Sequence, residues 1–454
     1  MLQALGGPAG TRAGVYEGGR RTMGTGRELR RALTLRDGVA LAVGSIAGSG
    51  LLFLPSLTYA LAGRDALLVW LGGTLLCLPL LSLFVAMVRL VPDGGLEGFI
   101  ARGLGPHVAA TVPALFLSLV ALGLPAGALV AGAYLRAAAG GGTLVQLAGA
   151  LAVLAVAIAT NLAGASAGAR VGRGVAWALL AGAGALCALA YPQARGHYGA
   201  VAPAFGPPGP ILSGIVVAFW AYAGLENLTF IAGEFRNPRR DFPLAMVVAF
   251  LAYGGLAVAL TATVAALVPR DQVDAVAGLS QLARHVRPSR LSTGALVAFA
   301  LALLALNATS WLWGMSRLVH ASARAGRLPG WFAHLNRRDL PARAIVALGT
   351  AFVAVTVVAA AVPGLLVGAL TAASSVFLVL YLLCVVSYLR VEPQRGPRLA
   401  YGLFLVVLVV LLASVGAKAL YPAAIFLVAL LASVLRARRK RPADGAAREA
   451  RTIS

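Results

Sequence analysis

Charge is the first thing this chain lacks. Asp and Glu number 15 and Lys and Arg 38 among 454 residues, so charged residues make up only 12%. A water-solvated domain carries about 25%. With 60% hydrophobic residues and a mean hydropathy of +0.86, the shortfall excludes a soluble globular protein. The surplus of base, +23 at pH 7, would suggest nucleic acid in a soluble chain. Here the basic residues lie between apolar runs, and no nucleic-acid partner is expected. Cysteine is scarce too: Cys77, Cys187 and Cys384 fall inside apolar runs without paired spacing. That excludes a disulfide framework and a cysteine metal site. The five histidines (His107, His197, His285, His320, His334) sit in loops or at run ends, with no pair at i, i+4. Ligands or bases converging at one depth, as a membrane metalloprotease or a His-dependent acyltransferase needs, are therefore missing. Ser45 and Ser49 have no His or Lys nearby, so no nucleophile–base pair is visible, and there is no Gly-x4-Gly-Lys-Ser/Thr phosphate loop. No catalytic residue, metal or cofactor is expected, and no signalling domain that would mark a sensor. The first 35 residues lack the apolar core of a signal peptide; residues 1–35 read as a disordered cytoplasmic tail, with Met23 as an alternative start.

What the chain has instead is long apolar runs. Twelve, each of about 20 residues and enough to cross a bilayer, lie near 37–62, 67–90, 107–135, 143–163, 172–191, 210–234, 243–268, 291–321, 343–362, 365–389, 399–416 and 419–435. The expectation is an all-α polytopic membrane protein with about twelve transmembrane helices and no separate soluble domain. With both termini cytoplasmic, 30 of the 38 basic residues fall on the cytoplasmic side, as the positive-inside rule requires. The tail from Arg436 to Arg441 reads as a stop signal facing anionic membrane lipid. Nothing in the sequence separates a monomer from a dimer.

Two of the runs carry interruptions. Gly44-Ser-Ile-Ala-Gly-Ser-Gly50 puts three glycines and two serines in seven residues, followed by Pro55. Each glycine costs a helix roughly 1 kcal/mol relative to Ala, and proline weakens the ladder again. Inside lipid, unpaired backbone groups are tolerated only where protein, water or a ligand meets them. The stretch is either a ligand site or a close helix crossing, since Gly44 and Gly48 are spaced as GxxxG. A second interruption, Ala221-Tyr-Ala-Gly-Leu-Glu-Asn227, decides for the ligand site. Two broken helices, one in each half of a chain, point to an inverted-repeat transporter with its site at the repeat interface. Glu226 is the one acid well within an apolar run, and an intramembrane carboxylate is functional by default. Asn307, Thr309 and Ser310 interrupt the eighth run; they either line the site or make interhelical hydrogen bonds. Trp220 and Tyr222 flank the second break, as a mobile aromatic lid or as packing.

These stretches resemble the amino acid–polyamine–organocation (APC) superfamily. Gly44 to Gly50 is similar to its first-helix signature. Phe219-Trp-Ala-Tyr-Ala-Gly-Leu-Glu-Asn227, continuing to Pro243, is similar to its sixth-helix signature. Asp93-Gly-Gly95 with Gly105, and Ser316-Arg317 with Ala325-Gly-Arg-Leu-Pro329, resemble two further landmarks. Within the superfamily the likeness is nearest to bacterial exporters of methionine and branched-chain amino acids. The resemblance implies a LeuT-type 5+5 inverted repeat with discontinuous helices 1 and 6: a ten-helix core over 36–392, two peripheral helices over 393–436, and a basic tail over 437–454. It implies that amides of Gly48, Ser49 and Gly50 bind a substrate carboxylate. Carbonyls near Ser45, Ile46 and Phe219 to Tyr222 would accept its ammonium, with Ala223 at the same site. Trp220 matches a substrate-stacking aromatic and Glu226 a gate. The substrates implied are small neutral, aliphatic L-amino acids moved across a plasma membrane, or else basic amino acids or polyamines with Glu226 as counter-charge. Two positions depart from the family. Ala178 stands where proton-coupled members carry lysine. Glu97 follows Gly94-Gly95-Leu96 where an aromatic is frequent; it is either a solvated charge at the cytoplasmic mouth or an adjustment of selectivity or of the internal gate.

Overall fold

The computed structural model describes residues 34–46, 49–91, 95–163, 165–222, 224, 226, 235–286, 290–338, 340–362 and 364–452. The expected tail 1–35 lies outside them except for Thr34 and Leu35. The described residues are mostly helical and contain no β-strand; helices satisfy their own backbone groups in lipid. The helices are α1 (Leu35–Ile46), α2 (Ser49–Ala62), α3 (Ala66–Leu90), α4 (Gly95–Leu104), α5 (Pro106–Ala109), α6 (Val112–Ala139), α7 (Thr143–Ala163) and α8 (Ala165–Ala194). They continue with α9 (Pro208–Tyr222), α10 (Pro238–Leu267), α11 (Gly278–Val286), α12 (Arg290–Arg324), α13 (Ala342–Ala361), α14 (Leu365–Val391), α15 (Arg395–Ser414) and α16 (Leu420–Thr452).

Ten stretches of the described residues are long and apolar enough to cross a membrane, against twelve expected from the runs. Among the described residues the first and second runs fall in one apolar stretch of 41 residues, Gly50–Leu90. The sixth run appears as the shorter apolar helix Pro208–Phe219. The other ten runs each hold a helix near the expected bounds.

The centre of the bundle is α6, which packs against α7, α12 and α14. Its 28 residues are nearly all apolar or small, and Leu115, Phe116, Val130 and Tyr134 are wholly buried. Beside it, α2 and α3 pack on α9, and α10 packs on α1, α2 and α8. By contrast α15 and α16 turn Leu403, Val406, Leu427, Val428 and Leu431 outwards. In lipid such side chains lose nothing by exposure, so packing rather than apolarity sets the helix contacts.

Small residues make the closest approach. A Cβ on Gly132 of α6 would run into the backbone carbonyl of Gln146 on α7, and one on Gly149 would lie 2.9 Å from the Gly132 Cα. Backbone cannot step aside as a side-chain tip does. We therefore expect Gly132→Val to separate α6 from α7 at a cost of roughly 1–3 kcal/mol or more, read as a fall in the unfolding temperature of the purified chain. Gly174→Val meets open space and serves as the control.

The C-terminal end of α2 is tied down by polar contacts. Asp65 accepts backbone N–H groups from Ala204 and Phe205, both at 2.8 Å, and from Gly206 at 2.9 Å, fixing the α8–α9 connection to the α2–α3 turn. Arg270 donates to the Ala60 and Leu61 carbonyls at 2.9–3.2 Å. A cation there satisfies the orphan carbonyls of a helix C-terminus and complements its dipole.

Candidate functional site

The site grows out of the two interruptions. Described helix runs up to Ile46 and again from Ser49, and residues 47–48, within the first interruption, lie outside the described part. Pro55, inside α2, withholds an N–H from the helix ladder. Thr58 turns its hydroxyl back onto the Leu54 and Pro55 carbonyls at 2.7 and 3.1 Å.

The second interruption follows Tyr222, the last residue of α9. Gly224 has φ +118°, a conformation that an L-residue rarely adopts. It turns the chain out of the helix and points its N–H at Glu226. The two interrupted stretches approach closely: the position a Cβ on Gly50 would take is 3.5 Å from the Ala221 Cα, next to the end of α9.

Glu226 is wholly buried. Its carboxylate accepts the Gly224 N–H on both oxygens at 3.0 Å and the Tyr381 hydroxyl on Oε2 at 2.7 Å. Tyr381, from α14, sits among Phe84, Phe219 and Phe377 with ring centroids 5.4–5.8 Å away. Glu226 thus links the second break to α14 through a hydrogen bond enclosed in aromatic rings, which strengthens it by keeping water out.

A second aromatic group stands on the other side of α9. Tyr222 packs its ring against Trp70, Phe250 and Tyr253, and its hydroxyl shares a hydrogen bond of 2.7 Å with Thr74 of α3. Trp70 donates its indole N–H to Thr261 of α10 at 2.7 Å. Tyr222 is thus a buried ring held by three aromatic contacts and one hydrogen bond.

Of the expected site residues, Ile46, Gly50, Phe219 and Tyr222 are buried where the breaks meet. Ser45 and Ser49 lie in the flanking helix ends and Trp220 in α9, but only their backbones belong to the described part. Gly48 and Ala223 lie outside it. The Thr309 hydroxyl stays within α12, on the Ala305 carbonyl at 2.7 Å, while its backbone carbonyl accepts Asn161 Nδ2 of α7 at 3.0 Å. Asn307 is half-buried, and Ser310 and Ala178 are exposed on the bundle. Glu97 is not a lone solvated charge: it pairs with Arg327 at 2.5 Å, and the Arg327 carbonyl accepts Arg436 Nη1 at 2.9 Å. Tyr381, Tyr253, Thr74 and Trp70 escaped sequence reasoning, because a single polar residue in an apolar run carries no spacing signal.

A polytopic helical membrane protein with a helix interrupted at Gly224, beside a buried carboxylate, is the class defined by these features. The chain belongs to the amino acid permease family, whose model matches residues 33–443. It is 30% identical over 432 residues to the L-methionine/branched-chain amino acid exporter YjeH of Escherichia coli (strain K12), covering 92% of this chain and 99% of that protein. It is 27% identical over 333 residues to the amino acid permease YecA of Bacillus subtilis (strain 168), covering 72% and 77%. A shorter similarity, 31% over 148 residues, relates 31% of the chain to 23% of the vacuolar cationic amino acid transporter 4 of Arabidopsis thaliana.

Proposed function

We propose that the chain is a secondary active transporter of small neutral, aliphatic L-amino acids, working by alternating access across the plasma membrane with both termini cytoplasmic. The observation that carries this reading is the close approach of the two interrupted stretches, Gly50 to Ala221 beside the end of α9. In it, amides of Gly48, Ser49 and Gly50 receive the substrate carboxylate. Carbonyls of Ser45, Ile46 and Phe219 to Tyr222 receive the ammonium, Ala223 and Trp220 complete the pocket, and Glu226 with Trp220 forms the gate. The arrangement is that of a LeuT-type 5+5 inverted repeat with about twelve spans, α15 and α16 being peripheral.

A neutral side chain is favoured by the lining, since Ile46, Leu51, Leu52 and Phe219 are all buried there and apolar. The relative from E. coli bears a name that specifies methionine and branched-chain substrates. A cationic substrate would need Glu226 as its partner, and that carboxylate already receives Tyr381 and Gly224. Counterflow of radiolabelled amino acids in proteoliposomes, with and without Na⁺ and a pH gradient, tests the reading. Leucine, isoleucine, valine and methionine are expected to exchange, and to do so without an imposed pH gradient, because Ala178 replaces the coupling lysine. Exchange confined to lysine, arginine or polyamines, or no exchange of any amino acid, overturns it.

A further inference from the structure

We infer that the Tyr253 hydroxyl is a ligand for the substrate carboxylate, an inference that rests on the transport reading above. Tyr253 lies on α10, and its side chain is wholly buried with its ring held edge-on against Tyr222 at 5.9 Å. Its hydroxyl has no hydrogen-bond partner among the described residues. Neighbouring tyrosines are not left so: Tyr134 donates to the Leu52 carbonyl at 2.6 Å, Tyr381 to Glu226, and Tyr222 bonds Thr74. Leaving one buried hydroxyl orphaned costs folding free energy that the same ring without oxygen would not cost.

The orphan points at the first turn of α2. The position a Cβ on Gly50 would take is 2.8 Å from the Tyr253 oxygen, so the hydroxyl occupies the niche left by the missing side chain. Beside it lie Ser49 and Gly50, whose amides the transport reading assigns to the substrate carboxylate. The phenol O–H adds one side-chain donor to those backbone donors, a charge-assisted bond that an anion rewards more than a neutral carbonyl does. Gly50, having no side chain, admits the hydroxyl.

Binding of L-leucine and of L-leucinamide to the purified full chain, wild type and Tyr253→Phe, tests this alongside the unfolding temperature of each without ligand. The expected result is a rise in Kd for leucine of about tenfold or more, with a smaller rise, about threefold or less, for the amide. The unfolding temperature of the ligand-free variant should stay level or rise, because an unpaired buried hydroxyl has been removed. An unchanged Kd for leucine, an equal loss for acid and amide, or a fall in the ligand-free unfolding temperature overturns the assignment while leaving the transport reading intact. A wild-type chain that binds neither compound overturns both.

Discussion

Glu226→Gln is expected to slow amino-acid counterflow by about tenfold or more while keeping the Kd for leucine within about threefold, the pattern of a group that acts on the conformational step rather than on ground-state binding. The reason lies in the contacts of the carboxylate. Glu226 holds Gly224 and Tyr381 together, and those residues belong to the second break and to α14. Alternating access requires elements on opposite sides of a site to part and rejoin, and a buried hydrogen bond across them sets how readily they do so. Glutamine has the same shape: its Oε1 accepts the Gly224 N–H, and its amide donates to a Tyr381 hydroxyl that must reverse direction. Packing survives while the balance between joined and parted forms shifts. Glu226→Ala goes further, leaving a cavity and two orphaned donors, and is expected to lower stability by roughly 2–5 kcal/mol.

The same variant separates the two substrate classes. Were Glu226 the counter-charge of a cationic substrate, its neutralisation would strand a buried ammonium or guanidinium and cost roughly 3–5 kcal/mol of affinity. Calorimetry with leucine, methionine and lysine on wild type and Glu226→Gln reads this directly. Tight lysine binding that vanishes in the variant would overturn both the gate and the neutral substrate.

What the chain's letters disclosed, and what they hid, follows from how local each signal is. The breaks were legible because glycine, serine and proline act on the helix that contains them, and a carboxylate in an apolar run is conspicuous wherever it points. The partners of these features were not legible. Tyr381 stands 155 residues from Glu226, and Thr74 stands 148 from Tyr222. Each is one polar residue on an apolar helix, and nothing nearby says which way it faces. Asp65 shows the same limit: nothing in its local sequence marks it, yet it gathers three backbone N–H groups from a connection 139–141 residues later. Run length shows where apolar residues lie, but not that α2 and α3 join almost without a gap.

Gly50→Val is expected to abolish counterflow while the chain still inserts and folds. Gly50 does not have one of the positive φ values found at nine other glycines, so valine meets no backbone strain, and its effect is one of space. The first atom of its side chain would stand 2.8 Å from the Tyr253 oxygen, 3.2 Å from Leu54 Cδ1 and 3.5 Å from the Ala221 Cα, before the two branch methyls are added. Those methyls fill the gap between the half-helices and stand between the α2 amides and any anion. Overpacking of this kind costs roughly 1–3 kcal/mol, a loss that a bundle with so extensive a core tolerates. A milder pair of variants isolates the clash. Gly50→Ala should lower the unfolding temperature, and adding Tyr253→Phe should restore it, because the oxygen 2.8 Å from the new methyl is gone. Transport should not return with stability, since the pair removes the phenol donor and narrows the approach to the amides. Near wild-type counterflow in Gly50→Val would show that the stretch from Gly44 to Gly50 is a helix-crossing motif after all.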